Sequence, residues 1–189
     1  MVAPPMAAAA VVAAGVLTPG YDPFARTVSR LAVPGMPFAV AVDLAIGLSG
    51  VACLALALAV RGGESAGRAA LVAAGAGFLL AAIVHLDPAS APATVAHRGA
   101  SALAVLGLTL APLALWRAYG RVLLALGIGE VAMLGLALAL FSTSFAAWGA
   151  WERGELLLGL TGLVVLARTI PSRDEAISAR AATHSSIAT

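Results

Sequence analysis

Six apolar stretches, each near the length that crosses a bilayer, limit this chain more than any other feature. A spanning helix needs roughly 20 mostly apolar residues. The stretches fall at about 2–19, 37–60, 69–86, 97–116, 122–142 and 154–170. Prolines mark several of their limits, because a proline lacks the N–H that a helix interior requires. Pro19-Gly20 ends the first stretch, Pro37 opens the second, Pro88 follows the third and Pro171 stops the sixth. Only 11% of the residues are charged and 61% are hydrophobic, against roughly 25% charged in soluble domains. So few charges cannot coat a globular surface, and lipid must solvate much of the chain. The expected fold is all-α, a polytopic membrane helix bundle of about six transmembrane helices. It forms one domain over residues 1–170, and the polar tail 171–189 is expected to be disordered. The first stretch lacks the basic region of a signal peptide and is read as a retained helix.

Arginine placement gives the orientation. The chain has 11 basic residues, all arginine. Arg61, Arg68, Arg117, Arg121, Arg168, Arg173 and Arg180 fall on one side, and Arg26, Arg30, Arg98 and Arg153 on the other. The first group is placed in the cytoplasm, which puts both termini there. Arginine without lysine, with abundant Ala, Gly, Val and Leu, suggests a GC-rich coding sequence and a bacterial plasma membrane. A net charge of +2 is too small to argue for nucleic acid. The partners expected are membrane lipids and other membrane-protein subunits. Cys53 is the only cysteine, so there is no disulfide framework and no thiolate metal cluster. No phosphate loop, nucleophile elbow or dinucleotide fingerprint is present, and no cofactor is implied.

An ionisable group at the centre of a spanning helix costs roughly 2.5–3.5 kcal/mol on insertion scales. Asp43, His85, His97 and Glu130 therefore each need a partner or a role. Asp87, Arg98, Glu152, Arg153 and Glu155 stand at the outer boundary. Asp43 shares a helix face with Gly47 and Gly50, His85 continues a row of Ala73, Gly77 and Ala81, and His97 lies above Ser101 and Ala104. Small residues at such spacing let helix backbones approach closely in lipid, so these three polar residues are expected to face other helices. Glu130 has Gly127 on one side but Leu134 on the other, a weaker pattern. At a rise of about 1.5 Å per residue, Asp43 lies roughly 9 Å below the outer end and Glu130 roughly 12 Å above the cytoplasmic end. The two should not touch. An arginine of the first outer loop, Arg26 or Arg30, is within reach of Asp43. That loop, 20–36, reads as a short amphipathic segment at the interface. Trp148, Trp151, Trp116 and Tyr119 read as interfacial anchors.

Several motifs together resemble one family. Tyr21-Asp22-Pro23, followed by Thr27-Val28-Ser29-Arg30-Leu31, is similar to its Tyr-Asp-Pro … Thr-(Ile/Val)-Ser-x-Leu signature. His97, opening the fourth helix after Asp87-Pro88, resembles the family's well-placed histidine. Gly149 with Glu152-Arg153 resembles its Gly-x-x-(Gln/Glu)-Arg element. The family is the bacterial and archaeal six-helix group called domain of unknown function nine-nine-eight, and the resemblance covers about residues 10–170. It implies six helices and no settled activity. The layout is broadly similar to eukaryotic six-helix membrane proteins of lipid remodelling and autophagy, a likeness of architecture that does not carry function. Arg30 departs from the family, which often has Asp or Glu after the loop serine, so no carboxylate role transfers there.

Three functions compete at this point. The first is a non-enzymatic protein that binds outer-leaflet lipid or serves as an accessory subunit of a cell-envelope assembly. The second is a metal-dependent hydrolase of lipid head groups, with His85, Asp87 and His97 on zinc and an open position for water. The third is a small proton-coupled transporter using Asp43 and Glu130, although no Gly/Pro-broken helix pair marks a transport site. The first is preferred. Its expected site is Asp43, His85, His97 and Arg153: the histidines and Arg153 hold an anionic head group or a partner carboxylate, and Asp43 orients a loop arginine. Asp87, Arg26, Arg30 and Glu130 are further candidates.

Overall fold

A computed structural model describes residues 2–60 and 64–170. The described residues are all-helical apart from loops, with six α-helices. They are α1 (Ala3–Leu17), α2 (Ala39–Ala59), α3 (Ser65–Ile83), α4 (Ala91–Tyr119), α5 (Arg121–Leu140) and α6 (Trp148–Thr169). A short 3-10 turn, Val28–Arg30, interrupts the loop between α1 and α2. In hydrocarbon every backbone polar group must be satisfied internally, and an apolar run does this as a helix. Four helices, α2 to α5, are long and apolar enough to cross a membrane. α1 is apolar but shorter, about 22 Å at the usual helical rise. α6 is long enough, but Glu152, Arg153 and Glu155 crowd its first turns. The chain is a membrane protein built as a helix bundle. Arg61, Arg173, Arg180 and the tail 171–189 lie outside the described residues.

Small residues set the packing. A Cβ on Gly77 would meet the backbone of α4, with Ala100 O at 2.7 Å, and one on Gly107 would meet Ala70 O of α3 at 2.6 Å. The backbones of α3 and α4 thus touch at two places along their contact. Gly50 and Gly75 bring α2 against α3 in the same way. The main core lies between α2, α3, α4 and α6, around Cys53, Leu71, Leu115 and Leu163. Gly120, at φ +112°, makes the turn that joins α4 to α5 within one residue.

Three helices start earlier than their hydropathy suggests, and α3 does so at Ser65, four residues ahead of the apolar stretch. α4 begins at Ala91, not near His97, because the Ser90 hydroxyl accepts from Ala93 N and Pro92 occupies the first turn. α6 begins at Trp148 and so carries its charged residues inside the helix. The loop after α1 packs against the helices. It folds over one end of the bundle and buries Tyr21, Val28, Leu31 and Ala32 against Ala14 and Val42. This end, where α1, α3 and α5 finish and α2, α4 and α6 begin, is called the loop end below.

Candidate functional site

Arg153 organises the loop end. Its Nη1 donates to the carbonyls of Pro23 at 2.7 Å, Arg26 at 3.0 Å and Gly149 at 3.0 Å. Its Nη2 donates to Tyr21 Oη at 2.7 Å, and the guanidinium sits 5.6 Å from the Tyr21 ring centroid. The Tyr21 hydroxyl in turn donates to the carbonyls of Arg26 and Thr27, both at 2.9 Å. Burial raises the Tyr21 phenol above its ordinary 10.0, while the hydrogen bond from Arg153 pulls it back down. Upstream, Asp22 shapes the loop by accepting from Phe24 N and Ala25 N. The loop docks on the start of α6 through Ala150 N, which donates to Phe24 O at 2.9 Å, and through Val28 N, which donates to a Glu152 carboxylate oxygen. Gly149 makes this docking possible. A Cβ there would lie 2.6 Å from Pro23 O and closer still to Arg26 O.

His97 is 2% exposed and fully engaged. Its Nδ1 lies 2.6 Å from Val84 O and its Nε2 2.9 Å from Ser29 Oγ. A carbonyl only accepts, so Nδ1 carries the proton, and in the neutral ring Nε2 accepts from the Ser29 hydroxyl. The other histidine finds a different partner. His85 Nε2 lies 2.8 Å from Asp43 Oδ2, so Asp43 meets a histidine of α3's end and not an arginine of the loop. Asp87 shapes the turn before α4: its carboxylate accepts from Ala89 N, and its carbonyl accepts from Thr94 Oγ1. His85, Asp87 and His97 therefore do not converge. Among the described residues no group of three or more His, Cys, Asp and Glu is placed to hold a metal ion.

Glu130 lies deeper in the bundle than its sequence pattern suggests. It is 1% exposed, on the one buried face of α5 formed by Leu123, Gly127 and Glu130. The missing half of the pattern is Gly159 of α6, whose bare Cα leaves room for Glu130 Oε1. Its polar neighbours are Thr109 and Glu155. Glu155 is 2% exposed, and its carboxyl oxygens have no hydrogen-bond partner; Thr109 lies near the Glu130 carboxyl, but its hydroxyl donates to Val105 O instead, which leaves both Glu130 oxygens without a well-formed bond. Asp43 and Glu130 belong to separate clusters, as their depths imply. Trp151 is more than an interfacial anchor, since its Nε1 donates to Met133 O at 2.9 Å and ties α6 to α5.

Above His97 the loop end opens into a cavity of about 770 Å³. Arg26 and Arg30 of the loop and Arg98 of α4 stand around it. Ser29, His97, Ser101, Trp148 and Glu152 complete its polar wall. No hydrogen bond or ion pair engages the three guanidinium groups among the described residues. The one carboxylate in the wall, Glu152, already accepts from Val28 N. Of the expected site residues, the cavity brings together His97, Arg26 and Arg30. It leaves Asp43, His85 and Asp87 outside, and it leaves Arg153 behind the wall as the clamp that holds the loop. Arg98, Ser29 and Glu152 join the site instead: Arg98 and Ser29 are the chain neighbours of His97 and Arg30, while Glu152 comes from α6.

The three short motifs of the sequence thus meet in one place: the Tyr-Asp-Pro loop on Arg153 and Gly149, the loop serine on His97. Residues 1–169 match the family described as "Protein of unknown function (DUF998)". The chain belongs to this family. Neither a curated protein nor a solved structure matches the chain. In this DUF998 protein the motif residues are one another's partners. They build and hold the loop end, and the cavity they enclose is lined by residues that do not all belong to the motifs.

Proposed function

We propose that this DUF998 protein is a non-enzymatic lipid-binding protein of the bacterial plasma membrane. It spans the membrane six times, keeps both termini in the cytoplasm, and grips an anionic head group at the outer leaflet. The loop end is then the outer end. α1 crosses despite its length by local thinning of the bilayer. Arg68, Arg117, Arg121 and Arg168, all at the other end of their helices, satisfy the positive-inside bias. The observation that carries the reading is the cavity of about 770 Å³ with three unpaired guanidiniums against one engaged carboxylate. Its size falls in the range of about 300–1,000 Å³ usual for ligand pockets. Arginine presents planar, forked donors that match phosphate oxygens, and such charge-assisted bonds are about twice as strong as neutral ones. A role as an accessory subunit of an envelope assembly is compatible with this site, with the lipid as the shared element.

Native mass spectrometry of the protein released from vesicles holding equal phosphatidylglycerol and phosphatidylcholine tests the reading. Wild type should retain the anionic lipid preferentially, and Arg98→Ala should lose that preference while remaining folded. Equal retention of both lipids by wild type would refute it.

A further inference from the structure

A second space adjoins the cavity at His97. It is a narrow chamber of about 60 Å³ that shares Ser29, His97, Ser101 and Glu152 with the cavity above. The same chamber shares Val28, Ile46, Phe78 and Leu156 with a third space of about 210 Å³ below it. That third space is an apolar slot between α1, α2 and α6, walled by residues such as Ala8, Val11, Ala45 and Leu160. The three spaces form a series, cationic at the loop end, narrow in the middle and apolar within the bundle. Glu155, 2% exposed and without a partner for either carboxyl oxygen, lines the narrow chamber. A buried group of this kind calls for a partner that the chain itself does not supply.

Resting on the head-group reading above, we infer that the ligand is a single-chain phosphate-bearing amphiphile whose acyl chain lies in the slot and whose linker passes Glu155. The phosphate sits among Arg26, Arg30 and Arg98. A hydroxyl of the linker, such as that of a glycerol carrying one free position, donates to Glu155. The narrow chamber admits one chain and not two. From Arg153 to Leu160 the slot follows α6 for about 10 Å, which takes the upper part of an outer-leaflet chain through a hydrocarbon core about 30 Å thick. Apolar walls around a ligand chain gain free energy with each methylene removed from water.

The test is a titration of the full chain in detergent with lysophosphatidylglycerol, glycerol 3-phosphate and dioleoyl phosphatidylglycerol, read by the fluorescence of Trp148 and Trp151. These line the cavity and the chamber respectively. Wild type should bind the lysolipid at least about tenfold more tightly than glycerol 3-phosphate, the factor that burying roughly two methylenes supplies. Ala8→Phe, which fills the slot from α1, should remove that advantage and leave glycerol 3-phosphate binding unchanged. Leu160→Phe fills it from α6 and decides the matter should Ala8→Phe fail to fold. Glu155→Leu should weaken the lysolipid alone. Lysolipid binding that survives both slot variants while Arg98→Ala weakens both phosphate ligands would overturn the chain assignment and leave the head-group reading standing. Phosphate ligands indifferent to Arg98→Ala would overturn the head-group reading itself. Two-chain lipid binding as tightly as one-chain lipid would overturn the single-chain assignment.

Discussion

Replacing Gly149 by alanine sets two physical effects against each other. On propensity alone, alanine in place of a helical glycine stabilises by up to about 1 kcal/mol. At Gly149 the added Cβ would collide with the carbonyls of Pro23 and Arg26. Both are backbone atoms, so relief requires the loop to lift off α6. Lifting breaks the bond from Ala150 N to Phe24 O and those from Arg153 to Pro23 O, Arg26 O and Tyr21 Oη. Hydrogen bonds to charged groups contribute about 1.5–3 kcal/mol each when buried. Two of these are solvent-accessible and water replaces part of their energy. After the propensity gain is deducted, a net loss of about 2–4 kcal/mol remains. For a chain of this size that corresponds to a fall of about 4–16 °C in unfolding temperature. The control is Gly99→Ala, where a Cβ meets nothing within 4 Å on an exposed face of α4, and which should gain about 0.5–1 kcal/mol. Cys53 supplies the assay. It is the only cysteine and it is buried, so a thiol-reactive fluorogenic dye reports unfolding of the detergent-solubilised protein directly. If Gly149→Ala raised the unfolding temperature as Gly99→Ala does, the loop would not be docked on α6 as described.

Three further outcomes follow from the same geometry. Glu130→Met removes two buried carboxyl oxygens that have no partner, and should raise stability by about 1–3 kcal/mol in the same dye assay; a fall would mean that Glu130 holds a bound ion or ligand. Tyr21 has a phenol raised by burial above 10.0, so the unfolded chain loses the proton first and wild-type stability should decline as pH rises above about 10. Tyr21→Phe is less stable at neutral pH but lacks that alkaline decline, and a decline of equal size in both, followed by circular dichroism, would exclude Tyr21 as its source. Arg30→Asp should abolish the preference for phosphatidylglycerol over phosphatidylcholine in vesicle competition, and an undiminished preference would remove Arg30 from the head-group site.

The helices were legible because apolarity alone forces them, and their small-residue faces were legible because tight packing in lipid needs glycine and alanine at three- and four-residue steps. The faces of Gly50, Gly77 and His97 are buried as that rule requires. Helix starts were less legible, since Ser90 and Pro92 begin α4 by capping, which hydropathy does not register. The pairings were not legible at all. Tyr21 and Arg153 are 132 residues apart, His97 and Ser29 are 68 apart, and a single sequence carries no signal that joins them. Asp43 is the instructive case. Loop arginines stood nearest in sequence and opposite in charge, yet His85 is the group that the α2–α3 packing brings within 2.8 Å. Glu130 is the converse, a residue whose burial depends on a glycine contributed by another helix, Gly159.

Polar groups at the loop end divide by what they already hold. Arg153 spends its donors on three carbonyls and a phenol, and His97 uses both ring nitrogens. Removing either would undo several bonds at once, so these groups are fixed by architecture and are poor candidates for gripping anything that comes and goes. Among the described residues the guanidiniums of Arg26, Arg30 and Arg98 make no hydrogen bond or ion pair, and the carboxyl oxygens of Glu155 have no hydrogen-bond partner. Solvated arginines alone would be unremarkable on a membrane protein's rim. What separates these is that they surround a cavity sharing wall residues with a chamber that holds a buried carboxyl, and that chamber in turn shares wall residues with an apolar slot. The rim's sign also depends on one position. An acidic residue in place of Arg30 would set two cations, Arg26 and Arg98, against two carboxylates around the cavity, and the proposed grip on phosphate would be lost.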